Sequence, residues 1–372
     1  MDGSSKLEAA LREIGRDAHL RVGALAWCKA VENGLPYAGS VRDDITGPLI
    51  DALHADVGVL RKTLSNGVVF DFHYRSKIAR ELVMSPEARP DHVWEPQTTR
   101  LLVHLARQAE HVVIGGAYAG DQAILMAKEM ARAGGGTIHA FEPNRDQIAM
   151  LMRNARNNQL DNIRPQPLGL WDDSSTALRL VGDDSFAHSE PVAAAGAGSE
   201  SFRTTTIEAY GAARGIGSLG LIMLDIEGAE LRALKGAQRY LAQPAGLAPN
   251  VVFEVHRSFV DWSNGLANTE IVRLLLGHGY TVYAVRDFNS NVPMGNLPIE
   301  LVPPEATYLE GPPHGFNMLA VKEPAIVAGA PFRIVRNVSP KLLAHKDPAL
   351  HHPLDGLPAA LRRPFRTNAA AA

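Results

Sequence analysis

From His111 onward short apolar runs alternate with stretches of helical periodicity, a pattern that restricts the chain to a mostly parallel sheet with crossover helices. Apolar runs over residues 112–116, 137–141, 219–224, 251–255, 280–285 and 316–321 predict strands. Helical spacing predicts helices over 121–132, 145–157, 229–241 and 271–278. Residues 163–170 read as a further strand unit, made irregular by Pro165 and Pro167.

Residues 1 to about 110 read as mostly helical, with Leu7, Leu11 and Ile14, and later Leu101, Leu102, Leu105 and Ala106, at helical spacing. Between them Asn66-Gly67 and the run Val68-Val69-Phe70 predict a turn and a short strand. Residues 182–201 are small, acidic and Gly/Ala-rich, the composition of a mobile surface insertion. Residues 286–315 hold six prolines between two strands, a connection long enough to act as a lid. The expected division is a helical extension over 1–93, a catalytic domain over 94–330 and a tail over 331–372.

The formal net charge is −3, so no bulk positive field invites nucleic acid or an anionic membrane. Cys28 is the single cysteine, which leaves neither an internal disulfide nor a thiolate metal site and suits a reducing compartment. The first twenty residues lack the apolar core of a signal peptide, and no stretch reaches the roughly 18–20 apolar residues of a membrane span. A cytoplasmic protein, either single or a homo-oligomer, is the expectation.

Three segments carry chemistry. Ile114-Gly115-Gly116-Ala117-Tyr118-Ala119-Gly120-Asp121 joins a predicted strand to a predicted helix. Its glycines let backbone approach a ligand, and the helix start offers free N–H groups; a purely structural turn accounts for it as well. Glu142, in Phe141-Glu142-Pro143-Asn144, lies 26 residues after Gly116, where a carboxylate can accept both hydroxyls of a ribose. A solvated glutamate at a helix start is the plainer alternative. Leu224-Asp225-Ile226-Glu227-Gly228-Ala229-Glu230 places three carboxylates at a strand end, more than packing needs. The next strand ends Phe253-Glu254-Val255-His256; with the two strands adjacent, Asp225 and His256 could converge on one hydroxyl.

In these segments the chain resembles the FkbM-type S-adenosylmethionine-dependent methyltransferases. The resemblance rests on Asp225–Glu230 as an Asp-x-Glu-Gly-Ala-Glu segment, the Phe-Glu-Pro-Asn at Glu142, the Gly-Leu-Trp-Asp at 169–172 and the Phe-Glu-Val-His at 253–256. It covers about residues 94–322 and implies a Rossmann-like class I α/β fold with a seven-stranded, mostly parallel sheet. It implies S-adenosyl-L-methionine as cofactor: Gly116, Ala117, Tyr118 and Gly120 at the methionine part, Glu142 with Pro143 and Asn144 at the ribose, Gly169 and Leu170 at the adenine, and Asp225 beneath the methyl. The family's acidic residue at the end of the first strand is Ile114 here, with Asp121 or Glu95 as substitute, and a lysine common before the Asp is Met223.

An alcohol acceptor must lose a proton, and a neutral imidazole is available near pH 7. His256 is therefore the expected general base, with Asp225 or Glu254 orienting it; the alternative is a local hydrogen bond at the strand end. Asp225, Glu254 and His256 could also hold a divalent ion such as Mg²⁺, although the spacing does not demand one. The expected acceptor is a hydroxyl on a sugar or natural-product small molecule, in contact with some of His73, Arg75, Arg257, Trp262, Asn264, Asn289, Asn291 and His314. Two rival readings are a nicotinamide-dependent oxidoreductase and a non-catalytic binding module. Tyr118 spoils the glycine pattern of the first.

Overall fold

The computed structural model describes residues 3–37, 41–74, 76, 78–85, 91–182, 188–192, 201–289, 291–309 and 315–342. The N-terminal part holds α1 (Gly3–Arg16), α2 (Ala18–Gly34), α3 (Gly47–Leu53), the antiparallel hairpin β1 (Val59–Thr63) and β2 (Val69–His73), and α4 (Ala79–Met84). Next come α5 (Pro96–Ala106), β3 (His111–Gly115), α6 (Ala123–Ala133), β4 (Thr137–Phe141), α7 (Arg145–Asn157) and β5 (Ile163–Gln166). The short strands β6 (Gly169–Leu170), β7 (Ala177–Val181), β8 (His188–Val192) and β9 (Ser201–Thr205) precede α8 (Ile207–Ala213) and β10 (Leu221–Leu224). The chain continues through α9 (Glu230–Lys235), α10 (Gln238–Leu241), β11 (Asn250–Val255), α11 (Glu270–Gly277), β12 (Thr281–Arg286), β13 (Ile299–Val302), β14 (Phe316–Val321) and β15 (Phe332–Ile334).

The main sheet runs β15-β13-β12-β14-β11-β10-β3-β4-β5. Its β5-β4-β3-β10-β11 portion is parallel, and β14 enters antiparallel between β11 and β12. This is a Rossmann-like class I α/β architecture. The chain leaves β3 toward β4 and β5 on one side and returns to β10 on the other, so a crevice opens at the carboxyl ends of β3 and β10.

Both sheet faces are covered, which is why the strands read as continuous apolar runs. Alternate residues serve opposite layers: Val112 and Ile114 pack with α5, α6 and α7, whereas Val113 packs with Ile207, Tyr240 and Leu275. The N-terminal part shares the first layer, contributing Phe70, Phe72 and Leu82. Asp71 ties its hairpin to α7 by accepting from Arg153 at 2.6 Å and Asn157 at 2.9 Å, and Asn154 brackets the Asp71 backbone.

Four features depart from the sequence expectations. The sheet has nine strands rather than seven, because β13 from the proline-rich connection and β15 extend its edge. The unit expected over 163–170 divides: β5 joins the main sheet, while β6 pairs with β9 in a small sheet ordered β6-β9-β7-β8. The insertion expected to be a loose surface segment begins and ends in β7, β8 and β9 of that sheet; residues 183–187 and 193–200 lie outside the described residues. The helix expected over 229–241 breaks at Gly236 into α9 and α10. Among the described residues no helix is long and apolar enough to cross a membrane.

Candidate active site

The turn after β3 and the corner after β10 touch. Strand pairing sets Gly115 beside Leu224, and the Asp225 N–H then donates to the Gly115 carbonyl at 3.0 Å. Gly116 and Ala117 both donate to the Phe141 carbonyl at 3.0 Å, fixing the turn against the end of β4. Gly116 has φ +76°, and a Cβ there would lie 1.8 Å from the Asp225 carbonyl oxygen. Only glycine fits that approach. From the end of β4, the Glu142 carboxylate accepts from the Tyr118 N–H at 3.0 Å and the Asn144 N–H at 2.8 Å. The three segments singled out in the sequence therefore meet at the crevice.

They enclose a cavity with about 1060 Å³ of atom-free space including its mouth. Its described lining includes Glu95, Asp121, Glu142, Asp225, Glu227 and Glu254, with neither lysine, arginine nor histidine among them. Burial, reinforced by the Asp225 charge, pushes Asp121 up to about 7. Burial alone raises Glu142 to about 7 against the two N–H groups that favour its anion. Glu254 is raised well above the carboxylate range by burial and then by Asp225, Glu227, Glu95 and Glu230. So concentrated a negative field favours a cationic guest.

The walls are built to hold these groups. A Cβ at residue 315 would sit 1.9 Å from the Glu254 Oε1, so Gly315 makes room for that carboxylate. Asn317 stands opposite Glu254 in the β11–β14 register and donates to Glu95 at 2.7 Å. Glu230 accepts from the Ile226 N–H at 2.9 Å and the Gly228 N–H at 3.1 Å, which pins the corner; burial raises its carboxyl to about 8. Asp287 accepts from the Gln97 and Thr98 N–H groups at the start of α5 and so holds the segment that carries Glu95. Glu95, Tyr118 and Glu227 adopt φ values of +45°, +44° and +49°, and all three line this cavity. Left-handed non-glycine backbone is costly, and its concentration here is the mark of a functional site.

Of the residues expected to bind cofactor, Gly116, Tyr118, Asp121, Glu142, Pro143, Asn144 and Asp225 line the cavity. Gly169 and Leu170 line an adjoining hollow that shares Gly116, Pro143, Ser189 and Ile226 with it. Ala117 and Gly120 shape the turn, Gly120 donating to the Ala117 carbonyl at 2.9 Å, and are absent from the described lining. Asn144 also caps α7, accepting from Asp146 and Gln147. Ile114 is buried in the sheet, and both substitutes considered for it, Asp121 and Glu95, face the cavity.

Of the expected catalytic set, Asp225 and Glu254 are together and His256 is apart. His256 follows the end of β11 and is not in the cavity lining; its Nδ1 accepts from the Ser258 N–H at 3.0 Å. The residue that joins the pair is Glu227: oxygens of Asp225, Glu227 and Glu254 lie within 4.8 Å of one another. Its position in the Asp225–Glu230 segment was the available signal. Trp94, Gln122, Gln147, Leu180 and Ser189 were not legible as lining, because the fold brings them in from the turns before α5 and α6, from α7 and from the β7–β8 pair. Among the acceptor candidates Asn289 lines the cavity, while Arg75 and His314 lie outside the described residues.

The buried acids set a pH dependence. Asp121, Glu142, Glu230 and Asp287 all have folded values above their unfolded ones, at about 7, 7, 8 and 6. The folded state therefore binds more protons than the unfolded chain, and this stabilisation is present below about pH 4 and lost as pH rises through 6–8. Ligand-free protein should melt at least about 5 °C lower at pH 8 than at pH 5.5 in calorimetry. A flat or rising melting temperature across that window would contradict the buried acid cluster.

A nine-stranded sheet of this order, with a carboxylate-lined cavity at its switch crevice, defines a class I methyltransferase fold. Residues 115–282 match the family model of the methyltransferase FkbM domain. Over that segment the chain is thus similar to the FkbM methyltransferase domain, the family its motifs resemble. Solved structures that match part of the chain include methyltransferase FkbM from Methylobacillus flagellatus KT, at 13% identity and TM-score 0.34, covering 82% of this chain and 60% of that one. Precorrin-6y C5,15-methyltransferase from Geobacter metallireducens GS-15 is 12% identical with TM-score 0.32, covering 61% of this chain and 88% of that one. The O-methyltransferase TomG from Streptomyces achromogenes, solved with SAM, is 11% identical with TM-score 0.33, covering 61% and 79%. No curated protein matches the sequence.

Proposed function

We propose that the protein transfers the methyl group of S-adenosylmethionine to a hydroxyl of a small polar acceptor such as a sugar or natural product. The observation that carries this reading is the convergence of the Gly116 turn, Glu142 and the Asp225 corner on one acid-lined cavity. When bound, the cofactor supplies a methyl group on a positively charged sulfur, and the surrounding carboxylates suit that charge. Glu142 would accept from the ribose hydroxyls, whose donors replace the solvent it has lost. Glycine at 116 leaves space for the ligand chain, and the hollow at Gly169 and Leu170 would receive the base.

The protein's share of the reaction is alignment, exclusion of water and removal of the acceptor proton. Glu254 faces the cavity, and burial among acids makes it a far stronger base than an ordinary carboxylate. We assign the proton to Glu254 and not to His256, whose Nδ1 is engaged by the following turn. Asp225 and Glu227 would orient the hydroxyl. The clustering of their oxygens with that of Glu254 also favours a second reading, in which Asp225, Glu227 and Glu254 would hold a divalent ion whose Lewis acidity would assist loss of the hydroxyl proton.

Calorimetric titration separates these readings from their rivals. S-adenosylmethionine should bind at a single site with micromolar affinity and NADH should give no heat; the reverse result would move the protein to the oxidoreductases, and no binding of either would leave a scaffold. EDTA should leave cofactor binding unchanged. Loss of turnover with EDTA, restored by Mg²⁺, selects the metal form, and full resistance removes it.

A further inference from the structure

A second cavity lies outside this site, in the groove between α5 and α6, closed at one end by the Asn66 turn and the Asp91-His92 segment. Its charge is opposite to that of the first. Arg100, Arg107, Lys128 and Arg132 line it against the carboxylates of Asp91 and Glu129. Glu129 is shared by Arg107 at 2.7 Å and Arg132 at 3.0 Å, so one anion serves two guanidinium groups. Lys128 bonds to a backbone carbonyl, that of Asn66, at 3.1 Å, and Arg100 bonds to the Gln97 amide oxygen and the Leu297 carbonyl. Neither cation has an ion-pair partner among the described residues.

A second, independent observation points to a ligand. His92 lines the same groove, is 2% exposed, and is held through Nδ1 by the Asp91 carboxylate at 2.9 Å. Its Nε2 is buried with no hydrogen-bond partner among the described residues. A buried imidazole nitrogen is ordinarily satisfied by a hydrogen-bond partner. The rim is itself fixed: the Asn66 side chain donates to the Asp91 carbonyl at 2.7 Å while Lys128 holds the Asn66 carbonyl.

We propose that this groove binds a phosphate-bearing small molecule, its anionic oxygens received by Arg100, Arg107, Lys128 and Arg132, with His92 Nε2 as a further hydrogen-bonding atom toward the molecule. Guanidinium forks and an ammonium make charge-assisted bonds to phosphate, and partial burial of Arg100 strengthens them. The proposal stands apart from the methyl-transfer reading, since the two cavities share none of their described lining residues.

The test is titration of the full chain with inorganic pyrophosphate at constant ionic strength, followed by calorimetry and by the His92 ring ¹⁵N resonance. Saturable binding below about 1 mM is expected, with a shift of that resonance. Lys128→Gln combined with Arg107→Gln should weaken binding at least about tenfold while S-adenosylmethionine affinity and melting temperature stay unchanged. ADP and glucose 1-phosphate, titrated in parallel, distinguish a nucleotide from a sugar phosphate as the source of the group; binding of either that the double variant abolishes supports the site. Absence of saturable binding, equal binding by the double variant, or sulfate binding as tightly as pyrophosphate would each overturn it.

Discussion

Glu254→Gln should lower methyl transfer by about 10²-fold or more, with S-adenosylmethionine affinity changed by less than a factor of about three. The carboxylate sits among Asp225, Glu227 and Glu95, where burial and like charge raise its proton affinity, and glutamine keeps its shape while removing the base. The sign of the pH effect follows. Wild-type turnover should rise with pH as the raised Glu254 carboxyl ionises, and the residual activity of the variant should be flat over the same range. His256→Ala is the matched comparison, because His256 lies next but one along the chain yet outside the cavity lining. It should retain turnover within a factor of about three. Full activity in Glu254→Gln, or the larger loss in His256→Ala, would reverse the assignment. Gly315→Ala offers an independent route, since its Cβ would displace the Glu254 carboxylate without altering its chemistry.

Gly116→Ala should abolish detectable cofactor binding and destabilise the fold by about 2–4 kcal/mol. Two costs add there: a left-handed backbone angle that a side chain strains, and a Cβ 1.8 Å from the Asp225 carbonyl. Neither neighbour can give way cheaply, because Gly116 and Ala117 are bonded to Phe141 and Asp225 is bonded to Gly115. Calorimetric titration gives the affinity and denaturant melts the stability. Should the variant fail to fold, Glu142→Gln reads the same site without adding a Cβ to the turn, and S-adenosylmethionine affinity should fall about tenfold or more. Wild-type affinity in a folded Gly116→Ala variant would show that the ligand sits elsewhere.

The strand–helix alternation was legible because each fully buried strand must be apolar throughout, as Leu221–Leu224 is. The extra strands β13 and β15 were not, because edge pairing is backbone chemistry and leaves little trace in side-chain pattern, least of all inside a proline-rich connection. The small sheet around β7–β9 escaped notice for a similar reason: its short strands are half exposed, and the composition of 182–201 resembles that of a loop. Yet Leu180 and Ser189, paired across that hairpin, both reach the cavity wall.

That Gly116, Glu142 and Asp225 would lie at strand ends was readable residue by residue, because glycine turns and strand-end carboxylates occur where local geometry and chemistry coincide. The placement of His256 relative to that cavity was not. Alternation along β11 suggests one side for Glu254 and His256, but β11 ends at Val255, and the chain beyond it bends so that Ser258 engages the imidazole. Sequence alone determined that a parallel sheet would form and which strand ends would carry acid, since both follow from local apolar pattern and side-chain type. Tertiary structure decided which acids share a cavity, because the charge that one carboxylate feels is set by neighbours that only the crossing of distant strands brings within a few ångströms.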